Sequence, residues 1–446
     1  MRNDITENQV TIGFDIGDAE TIVAFSTSGN KDIGLATMPG KSACGQAMAT
    51  IIATTKDNKT AFAEVVSEYI DDVEEVSINF KRRPSHILDV TEERKLKLIS
   101  IGTNDINHLL DEPEFNSPDF GIYLEKLTQF VDAILQDNDF IKNARGYLVG
   151  ADSIRFCIGH PTKWDSFDKL VYEAMLRSSM LGKKTYLDLP MYLDVYPESR
   201  AALLYVKDQY GLKFTENEYI GLVDFGSSTI DISVMYKAAK NPIDFGNETG
   251  NYLGARCIDY IIAFQYFFEN VNDVEYIEEL KNENKCIYDA ILINSRFAKE
   301  KLFSSTSDPN KRRTNILVEN SSVRISYDTL INDILKRPIA PILKEYTNLP
   351  ENEYHKLGNL NYVDAFKNFM RDVKFQMAEA GVNLSRIFLT GSASRMDFVK
   401  PVIEEVFTEL RKENSMLYDS EPSNAIAKGL SKVGQSERLA FNFKKQ

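Results

Sequence analysis

From Val10 to Asp15 apolar and polar residues alternate; the pattern breaks at Gly17-Asp18 and resumes from Thr21 to Ser26. Ile12, Phe14 and Ile16, then Ile22 and Ala24, fall at period two on either side of a tight turn, which predicts a β-hairpin. A similar unit returns from Tyr219 to Tyr236. There Leu222 and Val223 run into Asp224, Gly226-Ser227-Ser228-Thr229 form the turn, and Ile230, Ile232 and Val234 alternate beyond it. Either a duplicated architecture or chance similarity accounts for two such hairpins about two hundred residues apart.

Between the hairpins the period changes. Ile154 to Ile158 is strand-like and ends at Gly159-His160-Pro161. Phe167, Leu170, Val171, Ala174, Met175 and Ser178 then recur at helical spacing, closed by Gly182. A short strand from Leu193 to Pro197 leads into a helix from Glu198 to Val206. After the second hairpin, helices are predicted over Ile258–Phe268 and Ile287–Leu302. A strand from Arg386 to Leu389 ends at Gly391, and a helix comes after it with Val399, Val402, Ile403, Val406 and Leu410 on one face. Strand, glycine turn and helix can deliver backbone N–H groups and a positive helix end to an anion. The polar, weakly patterned stretch Lys344 to Asp364 reads as an insertion. Mixed strands and helices with paired hairpins point to an α/β fold in two lobes.

Composition narrows the function. The 446 residues are 43% hydrophobic and 26% charged, the profile of a folded chain. No apolar run approaches the roughly 20 residues of a membrane-spanning helix. Met1 to Val10 is polar and lacks the apolar core of a secretory signal, so a cytoplasmic protein with no membrane partner is expected. A net charge of −14 opposes binding to phosphodiester backbones, and nucleic acid is not expected as a partner. The basic clusters Lys81-Arg82-Arg83 and Lys311-Arg312-Arg313 read as solvated faces or loop ends. Four cysteines and four histidines, all far apart, make a zinc site, a disulfide framework or a nucleophilic triad poor readings.

Phosphate chemistry is the reading that remains. Gly34, Gly40, Lys41 and Ser42 imitate a P-loop, but five residues separate the glycines where four are needed, and no apolar strand leads in. The hairpin turns are better candidates. Small residues let backbone amides approach phosphates closely, and carboxylates at the strand ends, Asp15 and Asp224, can hold a hydrated Mg²⁺. Thr229 can donate a hydroxyl to phosphate, and Asp231 can orient a water.

These residues carry a resemblance. Gly13-Phe14-Asp15-Ile16-Gly17 is similar to the first phosphate motif of the seventy-kilodalton heat-shock (DnaK-type) chaperones, in the actin/hexokinase superfamily. Asp224 to Asp231 is similar to the second phosphate motif, Tyr196 to Leu203 to the connecting segment, and Leu389 to Arg395 to the adenosine motif. Phe297 to Leu302 resembles the helix flanking adenine and ribose, and Arg324 to Tyr327 and Pro422 to Ala425 resemble later landmarks. The order holds from about Val10 to Leu430.

The resemblance implies a two-lobed actin-like ATPase fold, with duplicated ribonuclease-H-like cores around a nucleotide cleft. Lobe I would span residues 1–212 with an inserted subdomain at about 41–117, and lobe II residues 213–421 with one at about 254–326. Residues 422–446 would return a helix to lobe I, and no substrate-binding domain is expected. It implies Mg²⁺ at Asp15 and Asp224, with Lys81, Glu198, Asp224 and Asp231 as the catalytic set. ATP or ADP would be held by Gly17, Asp18, Gly226, Ser227, Ser228, Thr229, Gly254, Lys299, Gly391, Ser392 and Arg395.

Several positions depart from that family. Asp18 and Ala19 replace two threonines that touch phosphate, and a carboxylate there repels a triphosphate unless a metal or a basic residue compensates. Ser227 and Ser228 replace glycines, Arg296 and Glu300 replace a glutamate and a stacking arginine, Phe303 replaces a serine, and Ser392 replaces a second glycine. The implied function is slow Mg-dependent ATP hydrolysis driving a lobe-closure switch read by a protein partner. The alternatives are a nucleotide-sensing pseudo-ATPase and an actin-like filament-forming ATPase.

Overall fold

The computed structural model describes residues 8–27, 33–39, 47–57, 59–62, 73–78, 82–162, 164–210, 218–236, 244–271, 285–304, 307–318, 321–346, 351–411, 415–419 and 421–433. Both hairpins form. The first joins β1 (Gln9–Ile16) to β2 (Glu20–Thr27), and β1 is buried along its whole length. Short strands come next: β3 (Ile33–Leu35), β4 (Met48–Ala49), β5 (Ile51–Thr55), β6 (Thr60–Phe62) and β7 (Val73–Ile78). Past a helical stretch come β8 (Ser153–His160), β9 (Thr185–Tyr186) and β10 (Leu189–Pro197). The second hairpin joins β11 (Tyr219–Phe225) to β12 (Ile230–Tyr236). Beyond it lie β13 (Asp244–Asn251), β14 (Arg313–Val318), β15 (Ser321–Ser326), β16 (Leu384–Thr390) and β17 (Met416–Tyr418).

The fold is mixed α/β, built on two mixed sheets that repeat one plan. The first has the order β3-β2-β1-β8-β10-β9, with β4 also on β2; the second has the order β13-β12-β11-β16-β17. In each, three strands meander antiparallel, and two later strands add in parallel beside the first of the three. Parallel neighbours need a long crossover, which helices supply here. The strands beside the centre are near-continuous apolar runs because both faces are covered.

Two helices lie at the junction of the sheets. On Glu198–Gln209, Ala202, Leu203 and Val206 pack with Leu222, Met235 and Phe388 of the second sheet. On Ala425–Val433, Ala427 packs with Ile22 and Ala24, and Leu430 with Cys157, of the first. The small three-stranded sheet β6-β5-β7 presents Ile51, Ala53, Val73 and Val76 to Ala290 and Ile293 of the helix Lys285–Ser304.

The stretch Lys344 to Asp364 takes in the end of helix Ala340–Tyr346, helix Glu351–His355 and the start of helix Tyr362–Glu379, whose Tyr362 is fully buried and donates its phenol hydrogen to the Leu253 carbonyl at 2.7 Å. Three sequence expectations are corrected. Helix Ile258–Phe268 is interrupted: an α-helix over Arg256–Ile261 widens to a π-helix over Ile262–Phe267. Helix Val399–Val406 stops before Leu410, because Phe407 leaves helical geometry (φ −101°, ψ 70°), and Leu410 sits in a 3-10 turn. The basic clusters are not merely solvated: Arg83 pairs with the buried Asp168 at 2.5 Å, and Arg312 pairs with Asp397 at 3.4 Å. No helix among the described residues is long and apolar enough to cross a membrane.

Candidate functional site

The hairpin ends superpose in sequence register. Asp15 pairs with Ile22 and Ile16 with Thr21 before Gly17; Asp224 pairs with Asp231 and Phe225 with Ile230 before Gly226. Both turns close with the same backbone bond: Gly17 N–H donates to the Glu20 carbonyl at 2.9 Å, and Gly226 N–H to the Thr229 carbonyl at 3.0 Å. Asp15 and Asp224 therefore occupy equivalent places, each buried, two residues before its turn glycine.

Around the second turn the site is layered. The Gly226 carbonyl accepts from Ala255 N–H at 3.1 Å, and the Ser227 carbonyl from Arg256 N–H at 2.9 Å. Gly254 packs so closely on Ser227 and Ser228 that a Cβ there would overlap their backbone. Thr229 Oγ1 donates to Asp231 Oδ2 at 2.7 Å. At the end of the neighbouring β16, Gly391 adopts φ +82°, and a Cβ on it would lie 2.5 Å from Asp224 Oδ1 and closer still to the Phe225 carbonyl oxygen. Only glycine fits a position with both that dihedral and that clearance. After Gly391 the chain forms a 3-10 turn, Ser392–Arg395, rather than the expected helix N-terminus; helix Val399–Val406 begins later. Ser392 and Arg395 are exposed.

Lys299 lies buried on helix Lys285–Ser304. Its ammonium is 2.7 Å from Asp259 Oδ1 and donates to the Ala255 carbonyl at 3.0 Å. Ala255 thus links the second turn to that helix. Burial pushes the Asp259 carboxyl up to about 6, against the pull of the Lys299 charge. On the first turn, Asp18 is buried and accepts from Arg256 Nη1 at 2.8 Å. Burial also raises the Glu20 carboxyl, aided by Glu300 and opposed by Arg296, by a bond from Ser423 and by Arg395. Glu20, Arg296, Glu300, Arg395 and Ser423 hence converge on one side of the site.

Glu198 opens its helix directly after β10 and lies against Gly159, at the end of the strand beside β1. The fully buried Tyr172 phenol is pushed well above its ordinary value by burial and then by the charges of Glu198 and Asp15, so it neighbours both carboxylates. Lys81, and the residues Gly40, Lys41 and Ser42 of the rejected P-loop, lie outside the described residues.

The donor set fits magnesium on one condition. No three His, Cys, Asp or Glu side chains among the described residues are grouped to hold a metal by themselves. Mg²⁺ keeps several waters and is ordinarily bound by one or two carboxylates together with substrate phosphates. The buried Asp15 and Asp224 suit that shared mode, in which metal and phosphates arrive together.

Sequence reasoning missed Arg256, Glu20, Asp259 and Tyr172. A signal existed for the first alone: the unexpected carboxylate of Asp18 called for a basic partner. Comparison with protein-family models gives no match, and comparison with curated proteins gives none either.

Proposed function

We propose that this chain binds ATP with Mg²⁺ between its two sheets, as an actin-like, heat-shock-chaperone-like ATPase of low turnover, and that closure around the nucleotide is read by a protein partner. One observation carries the reading: the repeated sheet, each copy ending in a buried aspartate and a glycine turn closed by the same backbone bond. Ligands of open α/β sheets bind at the carboxyl ends of strands, and Asp15, Asp224, Gly391 and Glu198 each stand at or directly after such an end.

In this reading the turn amides would bind phosphate, the Thr229 hydroxyl would give its hydrogen to Asp231 rather than to phosphate, and Asp15 and Asp224 would hold the ion. The ion, when bound, neutralises charge on the phosphates. Asp231, fixed by the Thr229 bond, orients the attacking water, and Glu198 assists from the first sheet. Arg395, exposed beyond Gly391, would face the nucleoside, and Lys299, engaged by Asp259 and the Ala255 carbonyl, would support the second turn from behind.

A second reading, a pseudo-ATPase that senses nucleotide without turnover, is favoured by the acidic first turn, where Asp18 and Ala19 stand in place of phosphate-binding hydroxyls and Glu20 adds a second acid. Calorimetric titration with MgATP and MgADP beside a phosphate-release assay separates the two. Binding with slow release supports the ATPase, and binding without release the sensor. Absence of binding to either nucleotide refutes both.

A further inference from the structure

The Asp18–Arg256 pair joins the first turn to the helix that seals the second. Asp18 is buried, its carboxylate meets Nη1 of Arg256 at 2.8 Å, and the Arg256 guanidinium also lies 5.8 Å from the Tyr260 ring. The backbone N–H of the same arginine donates to the Ser227 carbonyl, so its Cα is anchored on the second turn. A guanidinium presents several donors in a rigid fork suited to carboxylate and phosphate alike. Asp18 holds that fork at the mouth of a turn whose glycine and backbone amides suit phosphate.

We propose that Arg256 is a phosphate-recognition residue kept in reserve by Asp18, and that a nucleotide's terminal phosphate displaces the carboxylate and takes over the guanidinium. The inference rests on the nucleotide reading and adds to it a residue, a specificity and an inhibitory contact. The exchange substitutes one anion for another on a partly exposed cation, and the displaced Asp18 carboxylate, buried while paired, must turn to water as the phosphate arrives. It favours ligands with a polyphosphate chain over monophosphates. It also breaks an ion pair that runs from the first turn to the second sheet's unit, so ligand arrival and a change in how the two units are held become one event.

The test compares Asp18→Asn with Asp18→Asn/Arg256→Gln, since both lack the competing carboxylate, using ATP, ADP and AMP with Mg²⁺ in calorimetry. Asp18→Asn is expected to bind ATP about tenfold more tightly than the unaltered chain, with AMP affinity unchanged. Adding Arg256→Gln is expected to weaken ATP by about tenfold relative to Asp18→Asn, again leaving AMP unchanged. Asp18→Asn/Arg256→Lys, which keeps a cation without the fork, is expected to fall between them and serves if the glutamine variant does not fold. Equal ATP affinity in the single and double variants overturns the exchange while leaving nucleotide binding intact. Failure of the unaltered chain and of Asp18→Asn to bind any of the three ligands overturns the nucleotide reading, and the exchange with it.

Discussion

The two hairpin turns share a backbone and differ in every residue beyond the turn glycine. Register equates Asp18 with Ser227, Ala19 with Ser228, Glu20 with Thr229 and Ile22 with Asp231. The second turn is self-contained: its hydroxyl–carboxylate pair is local, and its carbonyls are taken by the adjoining Ala255 and Arg256. The first turn points outward, with Asp18 on Arg256 and Glu20 among Arg296, Glu300, Arg395 and Ser423. A repeated scaffold thus carries two different turns, one with a local hydroxyl–carboxylate pair and the other with acids that bridge to the second sheet's unit. Only the strand-end aspartates and the turn glycines are the same in both.

That shared element gives the largest expected effect. Asp15→Ala and Asp224→Ala should each weaken MgATP binding by about a hundredfold, because the proposed function has both carboxylates serve the same ion from equivalent positions. Titration in EDTA should erase most of the difference from the unaltered chain. If one variant is silent, the ion belongs to a single copy and the equivalence is only of backbone.

The element that differs comes next. Asp231→Asn should lower single-turnover phosphate release by about tenfold to a hundredfold with little change in ATP affinity, since an amide cannot take the proton of an oriented water. The equivalent position in the first copy is Ile22, buried and apolar, so no residue there can substitute. Undiminished release would place the chemistry elsewhere and leave the two turns differing only in shape.

The same division decides how much was legible in the sequence. Both hairpins, β8, β10 and β16 were readable because alternation and apolar runs are local signals. The repeated order of the sheets was not, since pairing between β1 and β8 or β11 and β16 leaves no periodic mark along the chain. The helices within Lys344 to Asp364 left only a weak pattern because their exposed faces are polar, although Tyr362 anchors the segment in the core. Within the site, turn glycines and strand-end aspartates stood out by type and place. Arg256 did not, because its partner lies 238 residues away and nothing local distinguishes it from a surface arginine.

The turns also differ in clearance, which predicts a stability contrast. A Cβ on Gly17 would overlap the Glu20 carbonyl oxygen, whereas one on Gly226 would stand 3.3 Å from the Thr229 oxygen. Gly17→Ala should therefore cost about 1–3 kcal/mol, as overpacking against backbone does, and Gly226→Ala less than about 1 kcal/mol. Urea unfolding of the two variants checks the ranking, and the reverse order would show that the first turn relaxes more easily than the second.

The last expected effect is confined to mild acid and concerns Asp259, a buried acid of the second unit paired with Lys299. Its carboxyl stands raised to about 6, first by burial and against the Lys299 charge, whereas an unfolded aspartate titrates near 3.8. Between those values the folded chain holds a proton that the unfolded chain has released. Stability from this group is therefore fully present below pH 3.8 and is lost as pH rises through about 6. Asp259→Asn cannot titrate, so its stability relative to the unaltered chain should improve over that window, by on the order of 1–3 kcal/mol. Parallel denaturation series at pH 4, 5, 6 and 7 read the difference directly, with all other groups cancelling between the two proteins. A flat difference would mean that the Lys299 contact keeps Asp259 ionised throughout. The link from the second turn through Ala255 to Lys299 would then be a permanent ion pair rather than one that weakens in mild acid.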